Sequence, residues 1–135
     1  MVGSKNPLES VRARLTKGLQ VAADKELVAR GDELDATVTV TNRKNLGALE
    51  VGLVCTETYE VSDNDSSGTS WGTAYECWTP LEPGTPRQRV RLRVPADGPY
   101  TYMGTVLSYR WEVVVRGPRN RRIDARATFD LEVRP

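Results

Sequence analysis

An all-β sandwich is the fold this sequence predicts, and two observations predict it. The first is the stretch from Arg87 to Arg116. There, two runs of apolar/polar alternation flank a break rich in Pro and Gly. Period-two alternation is the mark of a strand with one face buried. The second is the punctuation of the rest of the chain. Short alternating runs are separated by turn residues, about seven or eight strands in all, the number expected of an immunoglobulin-like, antiparallel Greek-key sandwich.

The elements follow in order. Residues 1–9 read as a flexible lead-in, and 10–135 as a single domain. Within 10–16, Val11, Ala13 and Leu15 alternate with Arg12 and Arg14, which predicts a strand. Leu8, Val11, Leu15 and Leu19 also fit helical spacing behind Asn6-Pro7, but Gly18 interrupts that helix. A second extended piece is predicted over Leu19–Ala23. Arg30-Gly31-Asp32-Glu33 is a turn, and it launches Leu34, Ala36, Val38 and Val40 on one face with Asp35, Thr37, Thr39 and Thr41 on the other. Asn42–Gly47 is turn-like. Leu49, Val51, Leu53 and Cys55 begin a strand that runs to Tyr59. Residues 62–70 are expected to be a polar loop, with Trp71–Thr79 returning as the second arm of a long hairpin.

After the Leu81–Pro86 turn, Val90, Leu92 and Val94 face inward, and Arg87, Arg89, Arg91 and Arg93 outward. Pro95 ends that strand because proline has no N–H to give the ladder. Leu107, Tyr109, Trp111, Val113 and Val115 share one face of the next. The turn Gly117–Asn120 leads to the last strand, with Ala127, Phe129, Leu131 and Val133 inside.

Composition narrows the function. The 135 residues carry 19 Lys+Arg against 18 Asp+Glu, a net charge of +1. No global field favours nucleic acid or an anionic membrane. No run approaches the length of a membrane span, and the N-terminus carries no apolar leader, so the expected location is the cytoplasm. The chain contains no histidine. It therefore has no imidazole base for a Ser or Cys nucleophile and no His-ligated metal, and two cysteines alone do not close a zinc site. The expectation is a protein without catalytic activity and without a cofactor.

Two passages resemble the arrestin-like β-sandwich family. One is Val28-Ala-Arg-Gly31-Asp32-Glu33-Leu34 and the alternation that follows to Val40 and Asn42. The other is Leu92-Arg-Val94-Pro95 through Pro99-Tyr100-Thr-Tyr102-Met-Gly104, followed by Tyr109-Arg-Trp111-Glu-Val113. The resemblance spans roughly residues 10 to 134, with about forty matching closely. It implies a scaffold or adaptor without catalysis. The family carries two sandwiches in tandem and this chain has room for one, as in single-domain bacterial relatives. No receptor-phosphate residue carries over, because that sensor needs both domains.

Several features could carry binding. Arg87, Arg89, Arg91 and Arg93 place four guanidinium groups on one strand face. An anionic protein partner could use them, or Glu50, Glu57, Glu60 and Glu112 could neutralise them across strands. Trp71, Tyr100 and Tyr102 stand near loops. Gathered at one end they would stack on a sugar or grip a peptide; apart, they cap the ends of the core. Asp63–Gly68 opens like a calcium loop, but its twelfth position, which needs a bidentate Glu, is Ala74. Asn64-Asp65-Ser66 is a glycosylation sequon, of use only in an exported chain. Arg30-Gly31-Asp32 matches an integrin-binding tripeptide and equally makes a glycine-centred turn. Cys55 and Cys77, nearly opposite in a hairpin centred near residue 66, allow a bridge, although reduced thiols suit a cytoplasmic protein. Two functions follow: a protein-interaction module working through a sheet edge or the arginine face, with a homodimer through a sheet edge as one form, or a carbohydrate or small-ligand module working through the loop aromatics.

Overall fold

A computed structural model describes residues 17–41, 47–63, 66–117 and 125–135. Nine strands are present among them: β1 (Leu19–Ala23), β2 (Leu27–Ala29), β3 (Glu33–Val40), β4 (Glu50–Asp63), β5 (Ser66–Pro80), β6 (Arg87–Arg93), β7 (Tyr102–Met103), β8 (Leu107–Gly117) and β9 (Ala125–Arg134). They form two stacked sheets. The smaller has the order β1-β3-β6, and the larger β2-β9-β8-β4-β5, with β7 pairing with β8. Among the described residues there is no helix, and so none that could cross a membrane.

The alternation seen in the sequence is the alternation of burial. Along β3, Leu34, Ala36, Val38 and Val40 are buried while Glu33, Asp35, Thr37 and Thr39 are not. They meet Val51, Leu53 and Cys55 of β4, Trp111, Val113 and Val115 of β8, and Ala127, Leu131 and Val133 of β9 in one core. Trp111 is its largest fully buried side chain. The indole N–H of Trp111 donates to the carbonyl of Pro99 at 3.1 Å, so the polar edge of the ring is satisfied by the loop that closes that end of the sandwich. Tyr75 tilts against the same ring with centroids 5.5 Å apart.

The β4–β5 hairpin corrects the expected polar loop over 62–70. Pairing continues from Glu50↔Pro80 out to Asp63↔Ser66, so Val61↔Gly68 and Ser62↔Ser67 belong to a ladder. The longer ladder is favoured because each added pair satisfies backbone groups. Residues 64 and 65, and with them part of the calcium-like segment and the sequon, lie outside the described residues. The ladder over Ser66–Thr69 is not the open loop a cation needs, and no metal-holding cluster occurs among the described residues. A bulge between Cys55 and Thr56 shifts the register, and Cys77 stands opposite Leu53 rather than Cys55. Both cysteines are free.

Two strands were not foreseen. β2, three residues long, runs parallel to β9 (Val28↔Val133), the one parallel pairing described in an otherwise antiparallel fold. β7, two residues long, extends the edge of β8 where β9 departs. Both are too short to show periodicity. The predicted strand at 10–16, the lead-in and the turn at 118–120 lie outside the described residues. Gly31 carries the predicted turn with φ +88°, a left-handed conformation suited to glycine. Arg30 and Asp32 serve the same turn. Asp32 accepts the Ala29 N–H at 2.9 Å, and Arg30 donates to the Gly98 carbonyl at 3.1 Å with its guanidinium over the Tyr100 ring. The tripeptide is a structural corner here.

Candidate functional site

The outward face of β1-β3-β6 is built by the same alternation that fills the core. Register fixes its rows: Thr39 stands between Gln20 and Arg87, Thr37 between Ala22 and Arg89, Asp35 opposite Arg91, and Glu33 opposite Arg93. The four arginines therefore divide into two pairs. Arg91 donates to Asp35 at 3.2 Å and to Glu33 at 3.3 Å, and Arg93 is paired with Glu33 and donates to the Gly31 carbonyl. The neutralising carboxylates come from β3, the neighbour in the sheet, and not from Glu50, Glu57, Glu60 or Glu112. Those glutamates are on β4 and β8 of the other sheet, where Glu50 instead binds Arg116 at 2.8 Å and Glu57 accepts from Tyr109. A sequence does not say which strand lies beside which, and that is why they were the wrong partners.

Arg87 and Arg89 face threonines instead. Among the described residues neither has a carboxylate within ion-pair distance, and both side chains are exposed. They line a shallow concavity of about 680 Å³ whose floor is Thr37, Thr39 and Gln20 and whose far end is Asp24 and Asp35. Asp35 is held by Arg91, and Asp24 accepts the Asp35 N–H. The basic end thus offers two guanidinium forks, two hydroxyls and an amide on one surface. That set recognises a carboxylate or a phosphoryl oxygen by charge-assisted hydrogen bonds.

The aromatic residues do not converge. Trp71 of β5 shares a row with Thr58, Ser108 and Met103 on the outer face of the larger sheet. Tyr102 shares the next row, on the opposite face, with Tyr109 and Glu57. Three strand spacings, about 14 Å, separate β5 from β7. Tyr100 lies beyond both, against Arg30. Around Trp71 and Tyr102 the distal end of the larger sheet also exposes Tyr59, Val61, Met103 and Val106. Of these, Val61, Met103 and Val106 were not singled out in the sequence. Their exposure comes from the hairpin outrunning the smaller sheet, which strand pattern alone does not reveal.

Cys55 is fully buried, and burial, reinforced by Glu57, pushes its thiol up to about 12. It is an inert core thiol, not a nucleophile.

No protein-family model matches the chain, and no curated protein matches it. Solved structures do. A β-glucosidase from Listeria innocua, in complex with gluconolactone, aligns over 87% of this chain and 16% of its own at 15% identity, with a TM-score of 0.37, too loose to bear on this protein. Spo0M, the sporulation control protein from Bacillus subtilis, aligns over 87% of this chain at 18% identity with a TM-score of 0.59; the chain spans about half of that protein, 49%. The fold is thereby that of an all-β, arrestin-like sandwich.

Proposed function

We propose that this domain is a non-catalytic interaction module whose β1-β3-β6 face captures an anionic segment of a protein partner. One observation carries the reading: Arg87 and Arg89 lie exposed beside Thr37 and Thr39 without an internal counter-ion, while Arg91 and Arg93 on the same strand are neutralised. A face that only needed solvation would have no reason to treat its four arginines differently. The arrestin-like fold supports a scaffold or regulatory role. The carbohydrate reading is less supported, since Trp71 and Tyr102 stand on opposite faces of a sheet and Tyr100 lies apart against Arg30.

The test is fluorescence anisotropy with a panel of labelled acidic and phosphorylated peptides at low ionic strength. Binding is expected, and Arg87→Glu with Arg89→Glu should weaken it at least about tenfold, the equivalent of 1.4 kcal/mol. Arg93→Gln should matter little, because its charge is already spent on Glu33. Raising salt toward 1 M shortens the screening length to about 3 Å and should abolish binding. Peptides that ignore the domain at low salt, or that bind the double variant equally well, would exclude this face.

A further inference from the structure

We propose that the chain dimerises by splicing both of its sheets to those of a second copy, β5 of each pairing with β6 of the other. This goes beyond the anion-binding reading; because the pairing uses strand edges it leaves the outer sheet face open, with one arginine of the row taken by the second copy.

The first ground is the position of two free edges. Among the described residues, β6 ends the smaller sheet and β5 ends the larger. β1 packs against β8 and β9, and β6 lies over β4, so the two free edges are on the same side of the sandwich. The larger sheet extends one strand further there, giving a stepped side. Val38, Val40, Leu49, Leu81 and Gln88 line a common cavity, so β3 and β5 end, and β4 and β6 begin, at the same end of the molecule. β5 and β6 therefore run in opposite directions. A two-fold axis parallel to the strands keeps each strand's direction and exchanges the layers. It sets β5 antiparallel to β6 of the second copy, twice, and fits step into step. The half-buried inner residues Tyr75 and Cys77 of β5, which overhang β6, would then be covered by the same residues of the second copy.

The second ground is the hydrogen-bond phase. Val94 donates to the Asp32 carbonyl and Val40 to the Pro86 carbonyl. By the alternation of an antiparallel ladder, Gln88, Val90 and Leu92 then bond toward β3, and Arg87, Arg89, Arg91 and Arg93 turn their N–H and C=O groups to the open side. Leu81 donates to the Leu49 carbonyl, so Thr79, Cys77 and Tyr75 bond toward β4, and Glu76, Trp78 and Pro80 face the open side. Proline at an outward position is the edge-strand rule. The outward residues of both strands carry side chains on the outer faces of their sheets, so joining them continues the pleat without a slip.

The third ground is charge. The hairpin from Glu50 to Pro80 contains six carboxylates and no Lys or Arg, and β6 contains four arginines and no acid. Arginines along an edge ordinarily discourage strand addition, yet a carboxylate on the partner strand offsets that effect, and β5 carries one, Glu76, with no base. Glu76 is exposed and has no ion-pair partner among the described residues. Every register that keeps the phase sets it directly opposite an arginine, the cross-strand position where opposite charges stabilise. Trp78 clears the edge by folding back over Gly52 beneath Arg116.

Sedimentation equilibrium or light scattering should give the full chain a mass of twice its 15.0 kDa. Glu76→Pro deletes one outward N–H without touching the ladder to β4, and should give monomer. Glu76→Arg, a surface change that leaves the backbone alone, should raise the dimer dissociation constant at least about tenfold. A wild-type chain monomeric throughout the micromolar range would overturn the proposal. So would a dimer that Glu76→Arg leaves at wild-type strength, whether or not Glu76→Pro folds. Peptide anisotropy is a separate readout, so either proposal can fail alone.

Discussion

Gly52 is a single position on which the larger sheet depends, and replacing it with alanine is the sharpest test of the packing described above. A Cβ built there would lie 1.8 Å from the Cys77 carbonyl oxygen and 2.9 Å from Cε3 of Trp78. Ordinary contact would require the β4–β5 spacing to open by roughly 1.5 Å, or the Trp78 ring to leave its place under Arg116 at 3.6 Å from the guanidinium. Overpacking of this kind costs about 1–3 kcal/mol, and a weakened ladder bond adds about 1 kcal/mol. The expected loss is therefore about 2–4 kcal/mol, a large share of the 5–15 kcal/mol available to a domain. In a chain this size it corresponds to a fall in Tm of roughly 8–15 °C. Urea unfolding followed by tryptophan fluorescence reads it, and the native spectrum should shift as Trp78 is displaced. Gly72→Ala, in the same strand pair but with nothing within 4 Å of the new Cβ, is the control and should cost less than about 0.5 kcal/mol. Equal stability of the two variants would refute the close approach of Trp78 to β4.

Trp111→Ala empties the centre of the core and should cost about 3–5 kcal/mol by the same urea assay. In the Glu76→Arg variant, where no second copy covers β5, an alkylating reagent should modify half-buried Cys77 and spare buried Cys55, which intact mass would report as one adduct; two adducts at neutral pH would contradict the burial of Cys55. The Cys55 thiol is raised from 9.0 to about 12 on folding, so the folded state favours its neutral form. That stability is present in full below pH 9 and is lost as pH rises toward 12; Cys55→Ala should flatten this part of the stability–pH curve.

What the sequence disclosed, and what it hid, follows from the range of each interaction. β3, β6, β8 and β9 were legible because alternation is local: the residues that set Leu34, Leu92, Trp111 and Leu131 inward are their own neighbours in the chain. The arginine row was legible for the same reason. Its division into neutralised and unsatisfied halves was not, because Glu33 and Asp35 are about sixty positions away from Arg91 and Arg93 and only the β3–β6 register joins them. The hairpin tip was misjudged because Ser, Gly, Asp and Asn suit a loop and a solvated ribbon alike. The dispersal of Trp71, Tyr100 and Tyr102 depended on which strands became neighbours, and their loop-like surroundings carried no such information.

The two proposals share one cause, the segregation of charge along the chain. A net charge of +1 conceals a hairpin with only carboxylates and a strand with only arginines. Folding places these two elements at adjacent edges of different layers, where β6 can satisfy only half of its arginines through β3. Surface ion pairs contribute little to stability, typically below about 1 kcal/mol each, so stability does not account for the arrangement. It does provide complementarity between molecules, which sets orientation and rejects wrong partners more than it adds affinity. An open edge lined by arginines favours a strand that brings a carboxylate and no base, as β5 brings Glu76. By that argument the proposed dimer would use one arginine of the row against Glu76, and the rest of the row would remain for the proposed anionic partner.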